Sequence, residues 1–238
     1  MKVNEIFGPT IQGEGKSAGM PTMFLRMAQC NLACTYCDTP YTWNWFGTSF
    51  QHPEKYNRKK EVHDMSRTDV VDVLKKNGPN IKSLVITGGE PMLQQDEVIE
   101  LLRLLKADGY RVEIETNGTV EPNSEFMELI DQINCSPKTS NSGFDNRPTM
   151  RERSKALKKL ASSDKTYFKF VVNGRSDLTE IKELIFKYGM INVYLMAEGS
   201  TREEQYLLTD EIMKICRENN FHFSPRLQVL YWNRTRGI

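Results

Sequence analysis

Short apolar, β-rich runs alternate along the chain with stretches of helical period. The runs cover residues 22–27, 81–87, 110–116, 133–136, 167–172, 191–196 and 221–223. Between them, Ser66 with Asp69 three residues on marks a helix start and predicts a helix through 76. Asp177 with Glu180 predicts another, which carries Ile181, Leu184 and Ile185 at helical spacing and stops at Gly189. Residues 95–106 place Val98, Leu101, Leu102 and Leu105 on one stripe, with Gly109 beyond it.

Strands alternating with helices predict a parallel sheet, because each return to a parallel neighbour requires a crossover. The strand count suits an open or closed α/β barrel, and it suits a doubly wound sheet equally well. The turns after the strands favour the barrel. Residues 87–91 read Thr-Gly-Gly-Glu-Pro, 115–118 Glu-Thr-Asn-Gly and 136–138 Ser-Pro-Lys; Asn173-Gly174 and the Ala-Glu-Gly of 197–199 follow. In a barrel all of them rim one mouth, where active sites collect. Residues 40–66 break the alternation and predict a long loop or insertion, with aromatics on the core and Arg58, Lys59 and Lys60 in solvent. The chain otherwise reads as one domain, 1–238.

Composition narrows this little. Hydrophobic residues make up 39% and charged ones 26% of 238, too apolar for a disordered chain. Lys plus Arg is 32 against 31 for Asp plus Glu, which provides no global field for nucleic acid or anionic lipid. No run approaches the roughly 20 apolar residues of a membrane span, and residues 1–10 lack signal-peptide character. The expectation is a soluble, cytoplasmic protein.

The cysteines change the picture. There are 5, and Cys30, Cys34 and Cys37 crowd into a CxxxCxxC loop that can wrap three thiolates around one inorganic centre. A structural zinc site or a ferredoxin-type cluster wants four ligands. Cys135 and Cys216 stand alone as small core residues, and His52, His63 and His222 show no ligand spacing. Three ligands leave one metal position open, the mark of a catalytic site.

This loop, with an aromatic Tyr36 before the third cysteine, resembles that of the radical S-adenosylmethionine enzymes, and Gly88-Gly89-Glu90-Pro91 resembles their GGEP element. The resemblance implies a [4Fe–4S] cluster on three cysteines, with the fourth iron binding S-adenosylmethionine and one electron splitting its sulfonium bond. It also implies an abbreviated, TIM-like α/β barrel. Within that superfamily, residues 5–15 (Glu-Ile-Phe-Gly-Pro-Thr-Ile-Gln-Gly-Glu-Gly), Phe24-Leu25-Arg26, Cys37-Asp38-Thr39 and the closing 225–232 resemble the 7-carboxy-7-deazaguanine synthases. These convert 6-carboxy-5,6,7,8-tetrahydropterin to 7-carboxy-7-deazaguanine with loss of ammonia, using Mg²⁺ as well, and are homodimers.

The resemblance assigns roles to residues. Arg26 offers a planar fork for the substrate carboxylate, and Glu115 an acceptor pair for the donor-rich pterin edge. Ile11, Gln12, Gly13, Glu14, Thr87 and Gln228 are further substrate contacts. On the cofactor side stand Tyr36, Cys37, Asp38, Gly89, Ser136, Pro137, Lys138, Met196, Ala197, Glu198 and Gly199. Thr39 supplies a hard oxygen for Mg²⁺. The family often has a histidine where this chain has Gln228, and glutamine hydrogen-bonds but cannot carry a proton as imidazole does. An electron donor such as a flavodoxin is implied. The rival readings are an activating enzyme that puts a radical on a partner protein's glycine, and a non-catalytic iron–sulfur or zinc module.

Overall fold

The computed structural model describes residues 1–46 and 55–238; residues 47–54, with His52 and the centre of the 40–66 segment, lie outside the described residues. Among the described residues nine strands form a single sheet in the order β3-β1-β2-β4-β5-β6-β7-β8-β9. They are β1 (Lys2–Ile11), β2 (Pro21–Met27), β3 (His63–Asp64), β4 (Ser83–Gly88), β5 (Arg111–Thr116), β6 (Gln132–Cys135), β7 (Thr166–Val172), β8 (Val193–Ala197) and β9 (His222–Ser224). From β2 to β9 each neighbour pairs in parallel. The order is linear rather than circular, so the fold is an abbreviated, open α/β barrel.

The crossover helices include α2 (Arg67–Asn77), α3 (Gln95–Ala107), α6 (Ser154–Ala161), α7 (Leu178–Tyr188) and α8 (Arg202–Asn219); α1 (Arg58–Glu61), α4 (Ser124–Leu129), α5 (Pro148–Arg151) and α9 (Leu227–Trp232) are short. α2 starts on the expected Ser66–Asp69 capping box. α3 buries Val98, Leu101, Leu102 and Leu105 in one core with Leu84, Ile86 and Ile114 of the sheet. Cys135 and Cys216 are buried in that core, as expected. Among the described residues no helix is long and apolar enough to cross a membrane.

One expectation is corrected. Asp177 and Glu180 form no capping box at α7. Asp177 instead accepts from the Asn173 amide at 2.8 Å and from Asn141 at 3.0 Å, while Glu180 accepts from the Ser140 amide at 2.8 Å and pairs with Arg151. The donors that take these carboxylates, Asn141, Ser140 and Arg151 from distant segments and Asn173 from four residues back, lie outside the helix. A strand outside the predicted runs, β1, carries the Gly8-Pro9 step. It runs antiparallel to β2, and its pairing register shifts between Phe7 and Thr10, so the Gly-Pro step sits in a bulge inside a strand. Part of the 40–66 segment is also ordered by the sheet, since β3 pairs with β1.

Candidate active site

Strands alternate their faces with period two, and the parallel strands use that period to sort chemistry from core. Leu25, Ile86, Ile114, Ile133, Phe168, Phe170 and Leu195 enter the core. Their neighbours Arg26, Thr87, Glu115, Asn134, Lys169, Val171 and Met196 line a cavity of about 1180 Å³ on the opposite face. With the strand-end turns they form one polar mouth.

The three cysteines also line this cavity, and all three are free. Burial, above all, pushes each thiol up, to about 11 for Cys37, and the charges of the other thiols add to that for Cys30 and Cys37. No three His, Cys, Asp or Glu groups among the described residues converge on a single metal ion. A cuboidal cluster makes no such demand, because each thiolate binds a different iron. Three thiols on one cavity wall, Cys34 buried and Cys30 and Cys37 half-buried, with neutral N–H donors to Cys34 (Asn146, 3.2 Å) and Cys37 (Trp43, 3.3 Å), suit a cationic iron core that binds them as thiolates.

The GGEP turn closes the gap between this loop and the sheet. A Cβ on Gly89 would stand 2.0 Å from the Gln29 carbonyl oxygen, so only glycine allows the turn to press on the chain entering Cys30. Glu90 is fully buried and accepts from Thr116 Oγ1 at 2.8 Å, the Asn117 amide at 2.6 Å and the Met92 amide at 3.0 Å. That carboxylate ties the ends of β4 and β5 together beneath the mouth.

The same cavity holds an ionic network that reaches the cysteine loop at Asp38. Glu14 pairs with Lys169, with Arg226 at 3.1 Å and with the Gln228 amide at 2.6 Å. Burial opposes its charge, but Lys169 and Arg226 outweigh burial and bring its pKa down to about 2. Arg226 reaches on to Asp38, and Lys169 to Glu115 at 3.6 Å. Glu115 is held further by Gln12 at 3.3 Å and Thr87 at 3.2 Å. Arg26 gives its Nε to Glu5 at 2.8 Å and stands over the Phe7 ring, and among the described residues its two terminal nitrogens have no hydrogen-bond partner, which leaves them for the cavity.

Nearly every residue singled out from the sequence lines the cavity: Ile11 to Glu14, Arg26, Thr87, Glu115 and Gln228 of the substrate set, and Tyr36 to Thr39, Gly89, Ser136, Lys138, Met196, Glu198 and Gly199 of the cofactor and metal set. Pro137 and Ala197 do not. Ala197 follows Leu195 into the core by the strand period, and Pro137 is buried beside Ser136. Lys169 and Arg226 were missed. Lys169 did leave a signal, as a lone charge between Phe168 and Phe170 in an apolar run. Arg226 left one only through its place in the closing 225–232 motif, two residues before Gln228.

Residues 25–153 match the radical SAM superfamily. Over its full length the chain is 32% identical to the 7-carboxy-7-deazaguanine synthase of Pyrobaculum aerophilum and covers 97% of it. It is also 32% identical to the 7-carboxy-7-deazaguanine synthase of Bacillus subtilis, over 99% of this chain and 98% of that relative. In three dimensions it resembles the crystal structure of QueE from Escherichia coli, with a TM-score of 0.68 at 24% identity, covering 94% of this chain and 92% of that one.

Proposed function

This chain belongs to the 7-carboxy-7-deazaguanine synthase family of the radical SAM superfamily, and we propose that its single mouth holds cluster, cofactor and pterin side by side. It is a radical SAM enzyme of 7-deazapurine biosynthesis, which converts 6-carboxy-5,6,7,8-tetrahydropterin to 7-carboxy-7-deazaguanine and ammonia. Cys30, Cys34 and Cys37 hold a [4Fe–4S] cluster. With S-adenosylmethionine bound, that cluster would supply one-electron reductive radical chemistry. Every other task falls to the chain itself.

Arg26 binds the pterin carboxylate through its two free terminal nitrogens. Glu115, oriented by Gln12, Thr87 and Lys169, accepts from the ring's amino and N–H donors. Gln228 Oε1 is a buried acceptor with no hydrogen-bond partner among the described residues, and a ring N–H would satisfy it. The cofactor lies toward Tyr36-Cys37-Asp38, Gly89, Ser136, Lys138, Met196, Glu198 and Gly199. Thr39 would give Mg²⁺ one hard oxygen, the rest of its shell being left to water and substrate oxygens. We further propose a single catalytic domain over 1–238, a homodimer, a cytoplasmic setting and a flavodoxin-type electron donor.

The observation that carries this reading is the meeting of the three cysteines and the Glu14, Arg26, Glu115 and Gln228 group in one cavity. The activating-enzyme reading has no use for the second group. The test is anaerobic reconstitution with iron and sulfide. The protein should turn brown with roughly four irons per chain, and under reduction it should release deazaguanine product from the carboxytetrahydropterin. A colourless zinc protein, or a brown one inert toward the pterin, would sink it.

A further inference from the structure

Two side chains from outside the CxxxCxxC loop aim N–H groups at its sulfurs within hydrogen-bond reach. Asn146 Nδ2 stands 3.2 Å from Cys34 Sγ, and Trp43 Nε1 stands 3.3 Å from Cys37 Sγ. A third, Asn117, reaches Cys30 only at 4.0 Å and gives its better bond to Asn31 at 3.0 Å.

Asn146 is held in place. It is 2% exposed, and its Oδ1 accepts from the Ala33 amide at 2.8 Å. That contact fixes the amide's orientation, because a backbone N–H can only donate, and so the NH₂ faces Cys34. The two hydrogens of that NH₂ go to Cys34 Sγ and to the Ser142 carbonyl at 3.2 Å. The Asn146 carbonyl in turn accepts from Arg151 at 3.1 Å, and Arg151 is locked to Glu180. The Thr35 amide donates to the Ser142 carbonyl at 3.0 Å, which closes the clamp over the middle of the cysteine loop. On the other side, the Trp43 indole lines the cavity beside Cys37.

We propose that Asn146 and Trp43 are positioning residues that set the reduction potential of the cluster. Adding an electron increases negative charge on the ligating sulfurs, and an N–H pointed at a sulfur stabilises the reduced form more than the oxidised one. The two donors therefore raise the potential and ease the electron transfer that precedes chemistry. The inference rests on the assignment of Cys34 and Cys37 as cluster ligands.

The experiment is a redox titration of the reconstituted protein without S-adenosylmethionine, followed by electron paramagnetic resonance, on wild type, Trp43→Phe and Asn146→Asp. Trp43→Phe keeps an aromatic ring and removes only the N–H. Asn146→Asp keeps the acceptor for Ala33 and replaces the donor with a carboxylate oxygen. Both should retain iron and shift the reduction equilibrium against the reduced cluster roughly tenfold, about 59 mV for a one-electron couple. Asn146→Asp should move further. Unchanged midpoints in iron-replete variants would overturn the inference, as would lost iron with the wild-type midpoint in what remains. Should Asn146→Asp take up no iron, Trp43→Phe decides alone. A wild-type protein that binds no iron would overturn the ligand assignment instead.

Discussion

Gln228 lies across the bare Cα of Gly13: a Cβ there would stand 1.8 Å from Gln228 Oε1. The two backbones are joined as well, with the Leu227 amide donating to the Gly13 carbonyl at 3.0 Å. A glycine that looks like a turn residue is thus the seat of a side chain from the other end of the sheet. Gly13→Ala should displace Gln228 and cost one substrate hydrogen bond, about 1–1.5 kcal/mol, or roughly tenfold in turnover. Release of 5′-deoxyadenosine without pterin should persist. Both are read by chromatography of parallel reactions, and wild-type product formation in Gly13→Ala would count against Gln228 as a substrate contact.

Arg26 and Glu115 are the charged groups assigned to the pterin. Glu115→Ala and Arg26→Ala should lose on the order of 2–5 kcal/mol of substrate or transition-state binding, about 30-fold or more in product formation. Arg26→Lys should be clearly impaired too, since an ammonium keeps the charge but loses the planar fork. Iron content should stay at the wild-type level in all three. If product formation survives, the superfamily assignment stands and the substrate assignment falls.

Cys30→Ala, Cys34→Ala and Cys37→Ala should each lose iron and activity together, because two thiolates cannot hold a cuboidal core. Cys135→Ala and Cys216→Ala should keep both, since those thiols lie in the hydrophobic core. Iron analysis and visible absorbance on the five variants make the comparison.

Glu14 links stability to acid. Its folded pKa of about 2 lies below the ordinary carboxylate value of 4.5. Its stabilisation is therefore complete above about pH 4.5 and is lost as pH falls toward 2. Glu14→Gln should cost about 3 kcal/mol at neutral pH, the lower end for breaking a buried pair, because Lys169 and Arg226 keep Glu115 and Asp38. Urea denaturation at pH 7 and pH 3 should show the gap between wild type and variant narrowing in acid. A gap independent of pH would mean the carboxylate's charge is not what matters.

Mg²⁺ should raise turnover, and Thr39→Ala should weaken that response without bleaching the cluster, because a hydroxyl is a hard-oxygen ligand. Thr39 lines the cavity with its Oγ1 3.8 Å from Cys37 Sγ. An unchanged Mg²⁺ profile in Thr39→Ala would place the ion elsewhere.

Periodicity and spacing are local properties, and the chain displays both openly. The alternation of runs and helical stripes predicts the parallel strands β2 and β4 to β9, because burying one face of each strand in the core writes a short apolar-rich run. The cysteine spacing and the strand-end turns locate the mouth, because a metal loop and a tight turn are both determined within a few residues. Tertiary structure alone decided the rest. Gly8-Pro9 became a bulge in β1 because β2 pairs on either side of it. Asp177 and Glu180 left the helix end for Asn141 and Arg151, which only the folded chain brings near. Lys169 and Arg226 entered the mouth because Glu14, Asp38 and Glu115 converge there to offset the cost of burying them. Asn146 met Cys34 because folding clamps its segment onto the cysteine loop. An ion pair or N–H···S contact between residues distant in sequence depends on where strands and loops close in space, and no short window of the chain contains that distance.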